Sequence, residues 1–293
     1  MKYLVRTLCL VLAAWLAPVS FAQETSRVLA LQPPAWVERD GNLRALRPDR
    51  PITAGDTLVT GDGGRLLIDL PDGADLKIGS EARFGVNTLR ETQDPIGSLI
   101  EGVYEISKGA FRYTTRASGA NIRRSLSVKV GMATVGIRGT DFWGLTTEES
   151  DTVVLLEGAI VIEKEGYPEV ELDQALTFYN APRSGTPQPV QNVDMEQLPI
   201  WAASVEMVVD AATISSSGSW GVYLGSFRAR QAAGNLMNHL DEQGYPAEIK
   251  QVNLNGSLYR VAVAGFLTRA DALKFVAAAE SDLDISGAWI QQM

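Results

Sequence analysis

The sequence predicts an α+β protein of two domains, an all-β N-terminal domain followed by a C-terminal domain with the element order βαββαβ. The chain has 293 residues, about two domains' worth at ~150 residues each, and its 45% hydrophobic content is enough to bury two cores. Between residues 28 and 178, turn-forming Gly and Asp residues recur about every ten positions and separate short β-rich runs. From residue 220 onward, strand patterns alternate with two helical patterns.

Residues 23–180 form the predicted all-β domain. Its β-rich runs include 65–70, 127–130 and 152–156, which combine branched and apolar residues between glycine-containing turns. No stretch in this region has a convincing helical period. The pattern leaves three arrangements open: a two-sheet sandwich, a jelly roll and a stack of strands.

Residues 181–217 are predicted to be a linker that contains one amphipathic helix. The segment 181–189 is rich in Pro, Gly and Ser, which favour irregular structure. Apolar residues then recur at helical spacing from Leu198 to Ala212 and predict a helix of about fifteen residues, which packs on one of the domains or docks a partner. The serine-rich segment 215–219 is predicted to be a second, flexible linker.

Residues 218–293 predict a small antiparallel sheet with two helices on one face, the ferredoxin-like arrangement, which leaves the other face open to solvent. Thr268 is placed to cap the second helix, and Asn255-Gly256 is a hairpin signal between the two middle strands. The strands are expected at 220–224, 247–253, 258–264 and 286–292, and the helices at 229–243 and 269–279.

The composition excludes several classes of site. Cys9 is the only cysteine and His239 the only histidine, so a zinc site built from them, a Cys–His dyad, an iron–sulfur cluster and a disulfide framework are ruled out. No carboxylate pair, G-x-S-x-G element or phosphate-binding loop argues for catalysis, so we expect a protein that is not an enzyme and has no cofactor or metal. The net charge of -9 disfavours a nucleic-acid partner.

Residues 1–22 have the layout of a secretory signal peptide. Lys2 and Arg6 precede an apolar run at 8–17, and small residues predict cleavage after Ala22. The run is shorter than the ~20 residues of a membrane-spanning helix, and an uncleaved anchor is the alternative. We therefore expect export to the periplasm and no integral membrane anchor after cleavage.

Strand alternation predicts which side chains occupy the open face of the C-terminal sheet. Aromatic rings can cover the apolar face of a sugar while guanidinium and amide groups hydrogen-bond its polar substituents, so a face with both suits a polysaccharide. In the alternative interpretation, these side chains cover a linker or the other domain. The residues expected to point away from the helices are Tyr223 on the first strand, Leu258 and Arg260 on the third, and Trp289 and Gln291 on the last.

The C-terminal domain resembles the SPOR (sporulation-related repeat) family in the segments VYLGSF at 222–227 and YRVAVAGF at 259–266. The resemblance implies a bacterial envelope module that binds peptidoglycan, preferably glycan strands denuded of their stem peptides at division septa. The residues that match glycan-binding positions of the family are Ser226, Arg260 and Trp289. The sequence departs from the family pattern at Tyr223, where a glutamine is usual, and at Ala264-Gly265, where Gly-Pro is usual.

The all-β domain resembles the FecR-type periplasmic domain. In the signalling systems that define this family, the domain follows a membrane helix and a cytoplasmic sigma-regulating segment. Because the apolar segment of this chain begins at its N-terminus, we expect an interaction or scaffold role with another envelope protein rather than transmembrane signalling. The segments that carry the resemblance are GDTLVTGDGGR at 55–65, LPDGADL at 70–76, TVGIRGTDF at 134–142 and LEGAIV at 156–161.

A basic stretch stands out in this acidic chain. Between residues 106 and 140 there are seven basic residues and no acidic one. Arg116, Arg123 and Arg124 flank a predicted loop tip at 118–121 and form a candidate surface for an anionic polymer or a partner protein. The alternative is that these side chains lie on solvated strand faces, paired with carboxylates from elsewhere in the fold.

Together with these patterns, the resemblance to the SPOR family implies a non-enzymatic periplasmic protein that binds peptidoglycan, with a role in the cell envelope and in cell division. Other functions stay open: a peptidoglycan-modifying enzyme or a signalling component targeted by the C-terminal domain, and an RNA-binding protein, since RNA-recognition domains also carry aromatic residues on an open sheet. Export and the acidic balance oppose RNA binding. The glycan specificity, the partner of the β domain, the oligomeric state and septal localisation are not determined by the sequence.

Overall fold

The computed structural model describes residues 26–116, 122–137, 139–253 and 257–293, and for Asp94 the backbone only. The described residues form 22 strands and three helices, an α+β fold of the predicted class. Three sequence predictions lie outside the described residues: the signal peptide at 1–22, the loop tip at 118–121 and the turn at 255–256.

The elements follow one another in the order that the sequence predicts, β-rich first and mixed α/β last. The β-rich part comprises β1 (Ser26–Gln32), β2 (Ala35–Arg39), β3 (Asn42–Ala45), β4 (Pro51–Ile52), β5 (Thr57–Thr60), β6 (Arg65–Asp69), β7 (Ala74–Ile78), β8 (Arg83–Asp94), β9 (Gly97–Thr115), β10 (Ile122–Val130), β11 (Ala133–Ile137), β12 (Asp141–Thr146), β13 (Ser150–Glu157), β14 (Ile160–Lys164), β15 (Val170–Leu172), β16 (Thr177–Pro182) and β17 (Gln191–Asn192). The remainder comprises α1 (Leu198–Val205), β18 (Ile214–Ser215), β19 (Trp220–Phe227), α2 (Arg230–Glu242), β20 (Ala247–Asn253), β21 (Ser257–Phe266), α3 (Arg269–Asp282) and β22 (Trp289–Gln292).

The N-terminal domain is a two-sheet sandwich, one of the three arrangements that the sequence left open. The first sheet has the strand order β18–β1–β6–β7–β9–β12–β13–β16–β17. The second has the order β3–β2–β5–β8–β9–β10–β11–β14–β15, with β9 and β10 parallel. The long strand β9 belongs to both sheets, because its first part pairs with β8 and β10 and its last part with β7 and β12.

Gly109 is the corner where β9 passes from one sheet to the other. Its φ is +87°, a conformation that glycine adopts without steric cost. A Cβ at this position would lie 2.6 Å from the Cβ of Ala82, so the neighbouring chain leaves no room for a side chain. A residue other than glycine would therefore distort the corner.

The sandwich core consists of the inward-facing residues of both sheets. Aromatic rings bridge the two sheets: Phe84 of the second sheet lies 5.7 Å from Phe111 of the first, centroid to centroid. Phe111 in turn meets Phe142 edge-on at 5.4 Å. All three rings are fully buried, and such edge-to-face contacts stabilise a core beyond the area that they bury.

The linker crosses the outer face of the first sheet as a strap, and its helix is shorter than predicted. The helix α1 has 8 residues instead of about fifteen, because the backbone becomes extended at Glu206. The Glu206 carboxylate accepts hydrogen bonds from Lys77 Nζ at 2.5 and 2.6 Å, and the backbone of Val208 exchanges two hydrogen bonds with the side chain of Gln32. These contacts hold residues 206–213, hereafter the strap, flat against the sheet.

The helix α1 packs on the sandwich. This agrees with the expectation that it packs on one of the domains. Trp201 stacks on Trp143 with ring centroids 5.2 Å apart and an angle of 20° between the planes. The Trp143 indole Nε1 donates to Ser204 Oγ at 3.1 Å. This second apolar cluster, outside the main core, covers the sheet where β12 and β13 pair.

The prediction of a flexible linker at 215–219 is wrong at its first residue. Ser215 is buried, and β18 pairs with β1 through Ala30 and with β21 through Ile214 opposite Phe266. The hydrogen bonds of β18 therefore join the sandwich sheet to the C-terminal sheet. A serine-rich composition indicates flexibility only where the backbone finds no strand partner.

The C-terminal domain has the predicted βαββαβ order and ferredoxin-like topology. Its four strands lie in the order β20–β21–β19–β22, all antiparallel, and α2 and α3 contact one face of this sheet. Thr268 caps α3, because its Oγ1 accepts from the backbone N–H of Asp271 at 3.1 Å. The core between sheet and helices includes Val222, Val261 and Phe275, all buried.

The two domains are docked directly onto each other. The end of α2 meets the β2–β3 hairpin, where Trp36 Nε1 donates to Glu242 O at 3.2 Å and Asp241 Oδ1 accepts from the backbone N–H of Ala45 at 3.1 Å. Gly244 follows with φ +78°, and a Cβ there would lie 2.7 Å from the Trp36 ring. One continuous core cluster includes residues of both domains.

Candidate functional site

The candidate site is the face of the C-terminal sheet opposite the helices, hereafter the open face. Cross-strand pairs place side chains on the same face of a sheet. Tyr223 lies opposite Trp289 on one neighbour and Ala262 on the other, and Arg260 lies opposite Ser226 and Lys250. These two rows of residues form the centre of the open face.

Ser226 reaches the open face because of a β-bulge. The register pairs Tyr223 with Ala262 but Gly225 with Val261, so Leu224 is the extra residue. Strict alternation would place Tyr223 and Ser226 on opposite faces, three positions apart; the bulge places them on the same face. A glycine inside a strand is a sequence signal for such a bulge, and Gly225 provides it.

The aromatic residues of the open face stack on each other. The rings of Tyr223 and Trp289 are nearly parallel, 10° apart, with centroids separated by 5.1 Å. Tyr223 is only 6% exposed, so the expectation of a solvent-facing tyrosine is wrong, whereas Trp289 is half-buried. Because Trp289 covers Tyr223, the Trp289 indole is the ring of the pair that a ligand can reach.

Arg260 lies beside this stack. Its Cζ is 5.7 Å from the Tyr223 ring centroid and 5.6 Å from the Trp289 centroid, within cation–π range of both rings. The Nε atom is buried and has no hydrogen-bond partner in the described part of the chain. The sandwich residue Arg112 is different, because its Nε and Nη2 donate to the two carboxylate oxygens of Asp141 at 2.9 and 2.6 Å.

Leu258 and Gln291 lie toward opposite ends of the open face. Leu258 is opposite Val252, next to the β20–β21 hairpin, and is half-buried. Gln291 is opposite Gly221 and exposed. Both share the face with Arg260 and lie in the rows that flank its centre, Leu258 next to the row of Arg260 and Gln291 next to the row of Trp289.

The sequence analysis missed two charged residues on the open face. Glu248 and Lys250 of β20 form an ion pair of 3.1 Å. Lys250 Nζ also lies 3.1 Å from the Sδ of Met293, whose side chain covers Gly221. Alternation along β20 was sufficient to predict that Glu248 and Lys250 share the face with Arg260, because the strand itself was assigned correctly.

Five residues of the basic stretch at 106–140 have carboxylate partners in the described part of the chain: Lys108, Arg112, Arg116, Arg124 and Lys129. Arg116 lies in ion-pair distance of Asp69 and Asp75, and the second ion pair measures 3.3 Å. Arg124 Nε is 3.3 Å from an oxygen of the buried Asp72. This geometry favours the interpretation that carboxylates from elsewhere in the fold neutralise the basic stretch. Arg123 is exposed.

The described residues contain neither a metal-binding cluster of side chains nor a helix that could span a membrane. No group of three or more His, Cys, Asp or Glu side chains is arranged to hold a metal ion within those residues. Among the helices that the structure describes, none combines the length and hydropathy of a membrane-spanning segment.

Two family models match the chain. The model described as FecR protein matches residues 56–161, and the model described as SPOR domain matches residues 216–292. No curated protein matches the chain. SPOR and FecR domains are binding and signalling domains rather than enzyme families.

Solved structures offer a weaker likeness. Two crystal structures of a candidate anti-sigma factor from Parabacteroides distasonis ATCC 8503, at 1.65 and 2.50 Å resolution, are 13% identical in sequence. Each comparison covers 77% of this chain and 91% of the other, with a TM-score of 0.41, too low to carry an argument. The two family models show that the chain contains a FecR domain followed by a SPOR domain.

Proposed function

We propose that this chain is a non-enzymatic periplasmic protein that binds peptidoglycan through the open face of its SPOR domain. The preferred ligand is a glycan strand denuded of stem peptides, as found at division septa. The FecR domain is an interaction or scaffold module for another envelope protein. The periplasmic location follows from the predicted signal peptide and from the family, since SPOR domains are periplasmic.

The observation that supports this proposal most directly is the group formed by Tyr223, Trp289 and Arg260. A sugar ring has an apolar face that the half-buried Trp289 indole can cover, and the buried Tyr223 ring holds the indole in place. Arg260 and the exposed Ser226 hydroxyl supply hydrogen-bond donors beside it. An apolar platform with a few adjacent polar groups is typical of a ligand site.

The docking of the two domains supports the scaffold role of the FecR domain. The contacts around Trp36, Asp241 and Gly244, together with the strap, hold the sandwich at one orientation to the open face. A SPOR domain bound to a glycan strand would therefore present the same sandwich surfaces to every partner. An interaction module benefits from such fixed presentation, because less orientational freedom is lost on binding.

Co-sedimentation of the full chain with purified sacculi, before and after amidase treatment, tests the proposed function. Binding is expected in both cases, with more protein bound after treatment. Trp289→Ala and Arg260→Ala should each weaken binding by about 1–3 kcal/mol, the usual loss for one stacking or charged contact. The control Arg230→Ala, an exposed arginine at the start of α2 on the helix side, should leave binding unchanged.

Two results would contradict the proposal. Retention of wild-type binding by both open-face variants would separate the open face from the glycan. Release of soluble muropeptides from sacculi by the purified protein would indicate an enzyme, the alternative function; none is expected.

A further inference from the structure

We propose that α1 and the pocket beneath it dock a partner protein whose apolar side chain enters the pocket and whose basic residues lie beside it. This inference rests on the interaction role proposed for the FecR domain and names the surface and the chemistry of the partner. The packing of α1 on the sandwich uses one face of the helix, and docking uses what that packing leaves open. The surface, hereafter the α1 site, shares no residue with the open face of the SPOR domain.

The first argument is an apolar pocket between α1 and the first sheet, with a volume of about 200 Å³. An apolar cavity of about 150 Å³ can hold a benzene ring, so this pocket has room for one aromatic or branched aliphatic side chain. A pocket of this kind is typical of the place where an interface takes up an anchor residue. The apolar residues that line it are Trp143, Val154 and Leu156 of the sheet and Leu198, Trp201 and Ala202 of α1.

The charged residue of the pocket lining, Arg112, is already neutralised. Its Nε and Nη2 donate to the carboxylate oxygens of Asp141 at 2.9 and 2.6 Å, and its Nη1 lies 3.7 Å from an oxygen of Glu206. A charged group that entered the pocket would therefore lose its hydration without gaining a free counter-ion. The occupant that fits the pocket is an uncharged, apolar side chain.

The second argument is that α1 is apolar on its exposed side as well. The helix sequence, LPIWAASV, contains no charged residue, and the hydroxyl of Ser204 accepts from Trp143 Nε1 at 3.1 Å. Ile200 is 61% exposed, and Met195, just before the helix, is 64% exposed. A surface helix ordinarily presents polar residues to water. Exposed apolar residues on a helix that lines an apolar pocket are typical of a protein interaction site.

The third argument is the charge of the chain around α1. Between residues 184 and 227 there are four acidic residues and no basic one. Glu206 is paired with Lys77, but Asp194 and Glu196, just before the helix, are exposed. A partner is attracted by these carboxylates if it carries Lys or Arg beside its apolar anchor. The charge of the α1 site therefore favours a basic partner.

The same charges disfavour two other occupants of an exposed apolar surface. A symmetric dimer through the α1 site would bring Asp194 and Glu196 of one copy close to the same residues of the other copy. An anionic lipid surface would repel these carboxylates in the same way. A basic segment of a partner protein satisfies both the apolar pocket and the charges beside it.

Selection from a phage-displayed library of random dodecapeptides, with the immobilised full chain as bait, tests the α1 site. The selected peptides are expected to combine an aromatic or leucine residue with neighbouring Lys or Arg. Ala202→Phe places a ring in the pocket and should weaken binding of these peptides about tenfold or more, the usual effect of losing an anchor contact. Ala270→Phe is the matched control, because Ala270 is exposed at the start of α3, and it should bind the peptides like wild type.

Two further variants keep the test independent of the folding of Ala202→Phe. Ile200→Gln changes an exposed side chain, so the fold should be retained while peptide binding weakens about threefold or more. Glu196→Gln should weaken binding at low salt and reduce its salt dependence. Glu280→Gln, which changes an exposed acid of α3, is the control for charge and should leave binding unchanged. Fluorescence anisotropy of labelled selected peptides measures all four affinities.

Several results would overturn the α1 site. One is that the bait selects no peptide, or that the selected peptides lack basic residues. Another is that they bind Ala202→Phe and Ile200→Gln as tightly as wild type. A third is that wild type floats with vesicles of phosphatidylethanolamine and phosphatidylglycerol, or dimerises in analytical ultracentrifugation, and that Ile200→Gln abolishes this behaviour. The surface would then belong to a membrane or to a second copy.

Sacculus co-sedimentation of the same variants separates this inference from the proposed glycan binding. Ala202→Phe and Ile200→Gln should bind sacculi like wild type, because neither residue lies on the open face. A protein that binds sacculi but selects no peptide through α1 overturns the α1 site alone. A protein that binds peptides through α1 but does not bind sacculi contradicts the glycan-binding function and supports the α1 site.

Discussion

Buried acids in the sandwich are neutralised by partners that are distant in sequence. The side chain of Asp56 is completely buried and accepts from Arg39 Nε at 2.5 Å, from Arg39 Nη2 at 2.7 Å and from the backbone N–H of Thr53 at 2.9 Å. Burial raises the pKa of this carboxyl, but the hydrogen bonds from Arg39 and Thr53 outweigh burial and hold the pKa of Asp56 below its ordinary value. The ionised carboxylate is therefore part of the folded structure.

Replacing this acid should make stability depend differently on pH. Asp56→Asn is expected to lower the free energy of unfolding by about 1–3 kcal/mol at neutral pH, because Arg39 loses a charged acceptor. Since the folded pKa lies below the unfolded one, the stabilisation is fully present above about pH 4 and is lost as the pH falls through the folded pKa. Urea unfolding at several pH values measures this difference, which should shrink on acidification.

The exposed Asp62 provides the control for that experiment. Asp62→Asn should change stability by less than about 0.5 kcal/mol at any of these pH values, as is usual for surface substitutions. A difference between wild type and Asp56→Asn that stays constant down to the lowest pH would contradict the assigned role of Asp56.

At the scale of elements, the contacts of the strap explain why the helix α1 ends at Val205 although apolar residues continue at helical spacing to Ala212. The pattern continues through Val208 and Val209, but both side chains are exposed in the structure, Val209 to 84%. The helix ends where Glu206 meets Lys77, and the extended strap that follows reaches β18 at the opposite edge of the sheet. Tertiary contacts with the sheet outweigh helix propensity in this segment.

We expect the stacking of Trp201 in α1 on Trp143 to stabilise the position of the strap on the sheet. Trp201→Ala is expected to lower the free energy of unfolding by about 2–4 kcal/mol, because it removes the contact with Trp143 and leaves a cavity. Limited proteolysis should then cut residues 206–213 faster. The neighbouring Ile200, which is 61% exposed, gives the control: Ile200→Ala should have little effect on either measurement. Unchanged stability of Trp201→Ala would show that α1 does not anchor the strap.

At the scale of the whole molecule, the FecR and SPOR domains form one structural unit. The strand β18 joins their sheets, the end of α2 contacts the β2–β3 hairpin, and Lys274 Nζ of α3 donates to Val209 O of the strap at 2.6 Å. Because these contacts include buried apolar residues of both domains, unfolding of one domain exposes core surface of the other. A single cooperative transition is therefore expected for the full chain.

Gly244→Ala tests this interface. The substitution is expected to destabilise the protein by about 1–3 kcal/mol more than Gly287→Ala, because both positions have a positive φ but only the Cβ at 244 would contact Trp36. Thermal unfolding of the two variants measures the difference. Equal destabilisation, or two separate transitions in the wild-type protein, would contradict a tightly docked pair of domains.

Local pattern in the sequence was sufficient for the order of elements, the topology of the C-terminal sheet and the placement of Arg260 and Trp289 on its open face. These features depend on the spacing of apolar residues along one strand or one helix, and that spacing can be read from the local sequence. The burial of Tyr223 under Trp289 and the path of the strap were decided only by the tertiary structure. Each depends on a partner from another strand, and such pairings over long separations leave no period in the chain.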